Sequence, residues 1–320
     1  MIELFTMRGE RIERIEHEEI ARTQSWIGVL GKGTIWVRCY KPNAEDIEAI
    51  AELTKIPIEE LKEAIEENER PKVHVHKHIE IVYRAPAIED GDIVTSPIYI
   101  YAIGQFIVTI EKQPNKVLSD LATALLENKR RFLFKKAIGY FIFYILDKIN
   151  DEYLHNIDKI SIRVDMFKDR NALNKVNVEK VYNASISLSY FNQALVANLE
   201  VLNELRKSYF KMFDHEDRKN FAELYYDALQ ILDTEKIQRE LLSNLINMHS
   251  TIAGNELNYF MKIVALVALL TTFPTFIMNL FAMNVKNTPF VDHANAFWWI
   301  LGAIIFSVFI SYFLFKKFSE

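Results

Sequence analysis

The chain has 320 residues and a mass of 37.5 kDa, with half of its residues hydrophobic, a quarter charged and a formal net charge of −5. A net negative charge disfavours nucleic acid as the main partner, because binding to phosphates requires clustered lysine and arginine. The single cysteine, Cys39, excludes a disulfide framework and a thiolate metal cluster, and it fits a reducing cytosol.

Residues 1–114 are predicted to form a cytosolic α/β domain. This region contains six of the eight prolines and six of the nine glycines, which punctuate strands and turns. Its N-terminus lacks the apolar core of a signal peptide. Asn43 is predicted to cap a helix over AEDIEAIAEL, and a second helix is predicted around Glu59–Glu67. Short β-rich runs predict strands at Thr34–Cys39, Ile79–Tyr83, Ile98–Ala102 and Phe106–Glu111.

Three histidines, His74, His76 and His78, alternate along the segment VHVHKH. On a strand, alternate residues share one face, which is an arrangement that metal ligands can use. The simpler interpretation is a solvated strand face, and the alternative is a zinc, cobalt or nickel sensing site.

Residues 115–281 are predicted to be helical. Between Pro114 and Pro274 the chain has no proline and only two glycines, Gly139 and Gly254. We predict a cytosolic helical region over 115–216 and a stalk helix over 217–281 that continues into a first membrane span. A helix of about 60 residues is roughly 90 Å long, far more than a membrane is thick. The amphipathic runs within this region are predicted at residues 116–152, 154–212 and 217–281.

Two long segments, 263–285 and 294–315, carry no charged side chain. Each exceeds the roughly 20 apolar residues that cross the hydrocarbon core of a membrane. Lys262 precedes the first segment, and Lys316 and Lys317 follow the second, so the positive-inside rule predicts that both termini are cytoplasmic. The remaining predicted segments are an external loop at 282–294, a second transmembrane helix at 295–315 and a basic cytosolic tail at 316–320.

Polar and small residues follow one another at alternating spacings of three and four along the first membrane helix, which places them on one narrow face. Two interpretations stay open: a tight helix-packing face, or the wall of a water-filled pore. Two spans per chain cannot enclose water, so a pore requires a homo-oligomer with this face turned to the axis. The amides of Asn279 and Asn284 near the membrane exit favour contact with water. This polar stripe consists of Asn258, Met261, Ala265, Ala268, Thr272, Thr275 and Asn279.

The segment NYFMKIVALVALLTTFPTFIMNLFAMN, followed by a short loop, a second span and a basic C-terminus, resembles the CorA family of divalent-cation channels. The segment FAELYYDALQILDTEKIQRELLSNLINMH resembles the family's stalk helix, and ERPKVHVHKHIEIVYRAP resembles its N-terminal strand after an Arg-Pro-Lys turn. The resemblance implies an α+β fold with an N-terminal α/β cytosolic domain, a long helical stalk and two C-terminal transmembrane helices. It further implies a funnel-shaped homopentamer in the lipid bilayer of the plasma membrane.

The same resemblance implies the functional residues. The family's Gly-Met-Asn signature corresponds to Ala282-Met283-Asn284, and Asn284 is expected to meet the hydrated ion at the external mouth. Glu63 and Glu223 match acidic positions, aspartates in well-known members, that bind regulatory metal between subunits. The pore-lining positions implied are Asn258, Met261, Val264 (an apolar constriction), Thr272, Thr275, Asn279, Ala282, Met283 and Asn284.

The predicted function is therefore Mg²⁺ influx, with Co²⁺ and Ni²⁺ as further cargoes and closure by intracellular Mg²⁺. No enzymatic activity, organic cofactor or nucleic-acid partner is expected. One alternative is a zinc, cobalt or nickel transporter of the same family. The other is a non-conducting, membrane-anchored sensing or interaction protein, because Ala282 adds a methyl group and disfavours the positive φ that glycine permits.

Overall fold

The computed structural model describes residues 1–16, 33–65, 69–89, 91–165, 175–207, 210, 212–283 and 293–319. The chain divides into two compact units, Met1–Leu245 and Ile246–Glu320. The first unit contains a β-sheet and the helices that cover it. The second contains the C-terminal part of the longest helix and the last helix of the chain.

A seven-stranded sheet forms the framework of the first unit. The strands are β1 (Ile2–Arg8), β2 (Arg11–Glu16), β3 (Ile35–Tyr40), β4 (Lys72–Val75), β5 (Ile79–Glu89), β6 (Asp92–Ile103) and β7 (Phe106–Glu111). They lie in the order β2-β1-β3-β7-β6-β5-β4, so β4 is an edge strand. The pair β3 and β7 is parallel, and the other neighbouring pairs are antiparallel.

Alternation of side chains along the strands gives the sheet two apolar faces. In β5, Ile81 and Tyr83 belong to one core, whereas Val82 belongs to the other. Helices α1 and α2 cover the Val82 face, and helices α3 to α6 contribute to the core on the opposite face. These helices are α1 (Ala44–Thr54), α2 (Ile58–Glu63), α3 (Lys116–Leu126), α4 (Ile138–Asp165), α5 (Lys175–Leu205) and α6 (His215–Ala282), with a 3₁₀ helix at Arg131–Lys135.

The longest helix, α6, is continuous from His215 to Ala282, and α7 (Ala296–Ser319) follows it. The absence of helix-breaking residues predicted this continuity over 217–281. Pro274 lies inside α6, as membrane helices allow because neighbouring groups satisfy the freed carbonyl.

Each of the four predicted strands is present in the sheet, and Asn43 caps α1 as predicted. The Asn43 side-chain oxygen accepts from the Asp46 backbone N–H at 2.7 Å, and the Asp46 carboxylate accepts from the Asn43 backbone N–H at 3.1 Å. This reciprocal capping box satisfies two donors that the helix itself leaves unpaired. The second predicted helix is shorter than expected, because α2 ends at Glu63.

The predicted amphipathic runs at 116–152 and 154–212 do not correspond to single helices, because α4 begins at Ile138 and continues through residue 153 to Asp165. The chain breaks earlier, between α3 and α4, where Asn128 has a φ of 57°. Asparagine tolerates this left-handed conformation and therefore ends helices without proline or glycine. Strands β1 and β2 were not predicted.

Gly139, in the first turn of α4, permits close contact with a carboxylate of α6. A Cβ atom at residue 139 would lie 2.2 Å from Oδ2 of Asp217. Asp217 is buried and exchanges hydrogen bonds with Asp214: its N–H donates to Asp214 Oδ1 at 2.8 Å, and its carboxylate accepts from the Asp214 N–H at 3.3 Å. The missing side chain at residue 139 therefore lets the N-terminal ends of two helices approach each other.

We expect the Gly139→Ala substitution to destabilise the chain by about 1–3 kcal/mol, because overpacking must displace the Asp217 carboxylate. The matched control is Gly254→Ala, where no atom lies within 4 Å of the added Cβ. Alanine favours a helix over glycine by about 1 kcal/mol. Thermal melting of the full chain in detergent checks the comparison. A Gly139→Ala protein that melts at or above the temperature of Gly254→Ala contradicts this packing.

Candidate ion pathway and carboxylate cluster

The second unit contains two helical segments that are long and apolar enough to cross a membrane, the end of α6 and most of α7. One face of each segment is partly covered. Phe281 of α6 lines a cavity together with Trp299, Ile300 and Ala303 of α7, so the two helices meet at this end. Within the apolar segment of α6, residues 263–282, the partly covered residues are Leu266, Leu269, Leu270, Pro274, Ile277 and Phe281.

The polar stripe of α6 lies on the side away from this covered face. Each of its seven residues is exposed, from Asn258 through to Asn279. Because successive helical residues are rotated by about 100°, the centres of the stripe and of the covered face are about 180° apart. Packing against α7 of the same chain therefore does not explain the stripe. Its polar groups are open to another copy of the chain or to water.

Two threonines of the stripe use their hydroxyl hydrogens within the helix. Thr272 Oγ1 donates to the Ala268 carbonyl at 2.7 Å, and Thr275 Oγ1 donates to the Thr271 carbonyl at 2.7 Å. A hydroxyl group has one hydrogen and two acceptor lone pairs, so each oxygen remains an acceptor. Water molecules around a cation point their hydrogens outwards. The hydroxyls are therefore suited to accept hydrogen bonds from a hydrated cation.

The other predicted pore residues are also exposed, where the structure describes them. Met261, Val264 and Met283 are each about half-exposed, at 56%, 45% and 54%. Ala282 is the last residue of α6 and does not have a positive φ. The alanine therefore occupies its position without the backbone strain expected from the sequence. Asn284 lies outside the described residues.

The predicted regulatory residue Glu63 belongs to a group of three neighbouring carboxylates. Oxygen atoms of Glu63, Glu69 and Glu80 lie within 4.8 Å of one another. Lys72 Nζ lies 3.1 Å from Glu63, 2.8 Å from Glu69 and 3.6 Å from Glu80. We call these three glutamates the carboxylate cluster. One ammonium group thus offsets part of the charge of three carboxylates.

The environment shifts the pKa values within the cluster. Glu80 is almost fully buried, and burial raises its pKa, whereas Lys72 and His74 oppose the shift. Burial alone would lower the pKa of Lys72, but hydrogen bonds to Glu69 and Glu63 raise it above its usual value. Lys72 is therefore a permanent cation within the cluster. In the sequence, this lysine is recognisable only as part of an Arg-Pro-Lys turn, and no local pattern predicts the role of its charge.

Glu223 is exposed on α6 and forms an ion pair with Lys219, one helical turn away, at 3.8 Å. A second group of acidic residues lies around it. Burial raises the pKa of Asp227, and the charges of Asp147, Glu223 and Asp151 raise it further. Among the described residues, Glu223 and Glu63 do not share a ligand group within one chain.

The three histidines do not form the regular strand face that the sequence predicted. β4 ends at Val75, so only His74 lies in a strand, and His76-Lys77-His78 connects β4 to β5. His74 and His76 are exposed, but His78 is 2% exposed. The interpretation as a solvated face is therefore wrong for His78.

Comparison with known proteins places the chain in a family. The family described as "CorA-like Mg2+ transporter protein" matches residues 31–317. The cobalt/magnesium transport protein CorA of Methanocaldococcus jannaschii is 27% identical over 286 residues, which are 88% of this chain and 90% of the relative. That of Thermotoga maritima is 24% identical over 162 residues, which are 50% of this chain and 46% of the relative.

A solved structure extends the comparison to nearly the whole fold. The complete structure of the CorA magnesium transporter from Methanocaldococcus jannaschii matches with a TM-score of 0.84 at 24% identity. The match covers 99% of this chain and 98% of that one. An α/β domain, a long helix and a C-terminal apolar helix are thus the architecture of a known membrane transporter. This chain belongs to the family of CorA-like Mg²⁺ transporter proteins.

Proposed function

We propose that five copies of this chain form a channel that conducts Mg²⁺ and Co²⁺ into the cell, with both chain termini in the cytoplasm. The observation that carries the proposal is the polar stripe of α6, which is exposed opposite the face that α7 covers. Exposed amides and hydroxyls at membrane depth are costly against lipid, but they are satisfied in a water-filled passage. Copies of the stripe around one axis provide such a passage.

The chemistry of the stripe suits a hydrated ion. Mg²⁺ loses its water shell reluctantly and requires octahedral oxygen geometry. Neutral acceptors such as Thr272, Thr275 and Asn279 can bind the outward hydrogens of that shell without replacing the waters. Neutral groups also bind weakly enough to release the ion, which conduction requires. Val264 is the apolar constriction of the same pathway, and Asn284 contacts the ion at the external mouth.

The signature at the external mouth is Ala282-Met283-Asn284 in this chain, whereas the family signature begins with glycine. Ala282 has a helical φ and an exposed side chain, so this position does not require glycine. We therefore propose that the alanine signature conducts. The same observation removes the main support for a non-conducting, membrane-anchored protein.

Closure by intracellular Mg²⁺ depends on Glu63 and Glu223 from neighbouring subunits. Both are exposed carboxylates, the oxygen donors that Mg²⁺ prefers. With Mg²⁺ bound, the two carboxylates attract the same ion and hold adjacent subunits together. Without it they repel each other across the interface, together with the acidic residues around Glu223. Intracellular Mg²⁺ thus closes its own entry path.

Lys72 is expected to tune this gate, because its ammonium group competes with Mg²⁺ for Glu63. Removing the charge in Lys72→Gln leaves three carboxylates uncompensated. A partly exposed charge a few ångströms away contributes roughly 1 kcal/mol, so closure should occur at about 3- to 10-fold lower cytosolic Mg²⁺. The control is Lys62→Gln, an exposed lysine on α2. A Lys72→Gln channel that needs unchanged or higher Mg²⁺ for closure contradicts this role.

Ion uptake into liposomes tests the proposed function directly. We expect purified chain to admit Mg²⁺ and Co²⁺ faster than empty vesicles do, and we expect Asn284→Ala to reduce this uptake. Parallel measurements with Ni²⁺ and Zn²⁺ separate a Mg²⁺ channel from a transition-metal transporter. Uptake by the wild-type chain equal to that of empty vesicles would overturn the proposal.

A further inference from the structure

The hairpin between β4 and β5 brings three imidazole rings into one row. His74 lies directly opposite Glu80 in the register of the two strands, and its Nδ1 is 3.3 Å from Glu80 Oε2. In the three-residue connection, the His76 backbone N–H donates to the His78 carbonyl at 2.9 Å. The ring centroids of His74 and His76 are 6.2 Å apart, and those of His76 and His78 are also 6.2 Å apart.

The innermost ring forms a short ion-pair contact with a carboxylate. His78 Nε2 lies 2.9 Å from Oε2 of Glu60 on α2, and both atoms are inaccessible to solvent. Neither atom has another hydrogen-bond partner among the described residues. Each therefore depends on the other alone, and a buried polar pair with no further partner calls for an explanation.

The spacing of this pair matches that of two neighbouring metal ligands. Ligand atoms about 2.1 Å from a metal ion are about 3.0 Å apart at the 90° angle of an octahedral site and about 3.4 Å apart at the tetrahedral angle of zinc. The 2.9 Å spacing therefore fits an octahedral ion such as Co²⁺ or Ni²⁺ better than it fits zinc. Imidazole ligands suit zinc, nickel and other first-row transition metals, whereas Mg²⁺ prefers oxygen ligands. Burial lowers the pKa of His78, although the charge of Glu60 opposes the shift.

We propose that His76, His78 and Glu60 bind one first-row transition-metal ion such as Co²⁺ or Ni²⁺, with the His74–Glu80 pair as the adjoining end of the site. His78 and Glu60 already have ligand spacing, and exposed His76 completes the set by a side-chain rotation at the mouth of the hairpin. The site is distinct from the polar stripe in residues, in ligand chemistry and in the metals that it selects. It does not depend on conduction.

Co²⁺ binding to the untagged full-length protein in detergent tests the proposal, with excess Mg²⁺ present to occupy sites made of oxygen ligands alone. We expect one Co²⁺ per chain by calorimetry, with a visible absorption band of imidazole-ligated Co²⁺. The His76→Gln substitution should weaken binding at least about tenfold. His155→Gln, which changes an exposed histidine on α4, should leave binding unchanged. Mg²⁺ uptake by His76→Gln should also stay unchanged, which separates this test from that of the channel.

Two results would overturn the site. One is an absence of Co²⁺ and Ni²⁺ binding in excess Mg²⁺, and the other is equal binding by His76→Gln and His155→Gln. Because His78 is buried, the His78→Gln substitution can also destabilise the fold. The melting temperature of this variant is therefore measured together with its Co²⁺ affinity. Glu60→Gln, a partly exposed carboxylate on α2, provides the independent variant. We expect it to weaken Co²⁺ binding as His76→Gln does, and unchanged affinity would remove Glu60 from the site.

Discussion

A Glu223→Lys channel is expected to conduct Mg²⁺ without inhibition by cytosolic Mg²⁺. The substitution replaces an ion ligand with a cation, so the bridge between subunits cannot form. It also adds a positive charge one turn from Lys219 and removes one carboxylate from the group around Asp227. Since Glu223 is 62% exposed, the substitution leaves the core of the first unit intact.

Currents from excised membrane patches, with Mg²⁺ perfused at the cytosolic face, measure the effect. We expect wild-type current to fall as Mg²⁺ rises, and we expect the current of Glu223→Lys and Glu63→Lys to stay constant. Glu179→Lys makes the same charge change at an exposed position of α5 and should retain inhibition. Inhibition that persists unchanged in both Glu63→Lys and Glu223→Lys would remove the proposed gate.

The second large effect concerns the ion pathway. We expect Asn279→Leu and Thr275→Val each to reduce Mg²⁺ uptake at least about tenfold. Each substitution removes one acceptor per subunit, and in the proposed pentamer five hydrogen bonds of about 0.5–1.5 kcal/mol would act on one ion. Thr275→Val keeps the shape of the side chain, whose hydroxyl donates only within the helix. The loss is therefore one of ion contact rather than of folding.

Met278→Leu is the matched control for Asn279→Leu. Met278 is 50% exposed but lies about 100° around the helix from the centre of the stripe. We expect it to retain wild-type uptake into liposomes. Equal uptake by Asn279→Leu, Met278→Leu and the wild type would show that the stripe does not line the pathway.

Features that depend on local sequence were predictable. The run from 217 to 281 contains one proline near its end and one glycine, and it forms a single helix. Strand β7 has the predicted bounds, because its sequence FIVTIE is an unbroken run of aromatic and β-branched residues before the final glutamate. The polar stripe could be predicted from the helical period and from the apolar character of the neighbouring residues.

Features that depend on contacts distant in sequence were not predictable. Strand β2 reads RIERIE, in which four of six residues are charged, and it forms because β1 pairs with it across the whole length. Lys72 enters the carboxylate cluster only after β4 pairs with β5, which brings Glu80 beside Glu63 and Glu69. The burial of His78 likewise depends on α2 crossing the sheet near the hairpin.

Cysteine accessibility tests most directly whether the polar stripe faces a water-filled passage. The method suits this chain because its only native thiol does not react with the reagent. Cys39 is fully buried, and burial raises its pKa to about 12, so it does not react with a charged thiol reagent. In liposomes, we expect such a reagent to modify Thr275→Cys and to stop Mg²⁺ uptake. Phe273→Cys, about 120° from the centre of the stripe, should stay unmodified and active. Modification of Phe273→Cys with protection of Thr275→Cys would contradict a water-filled passage lined by this helix face.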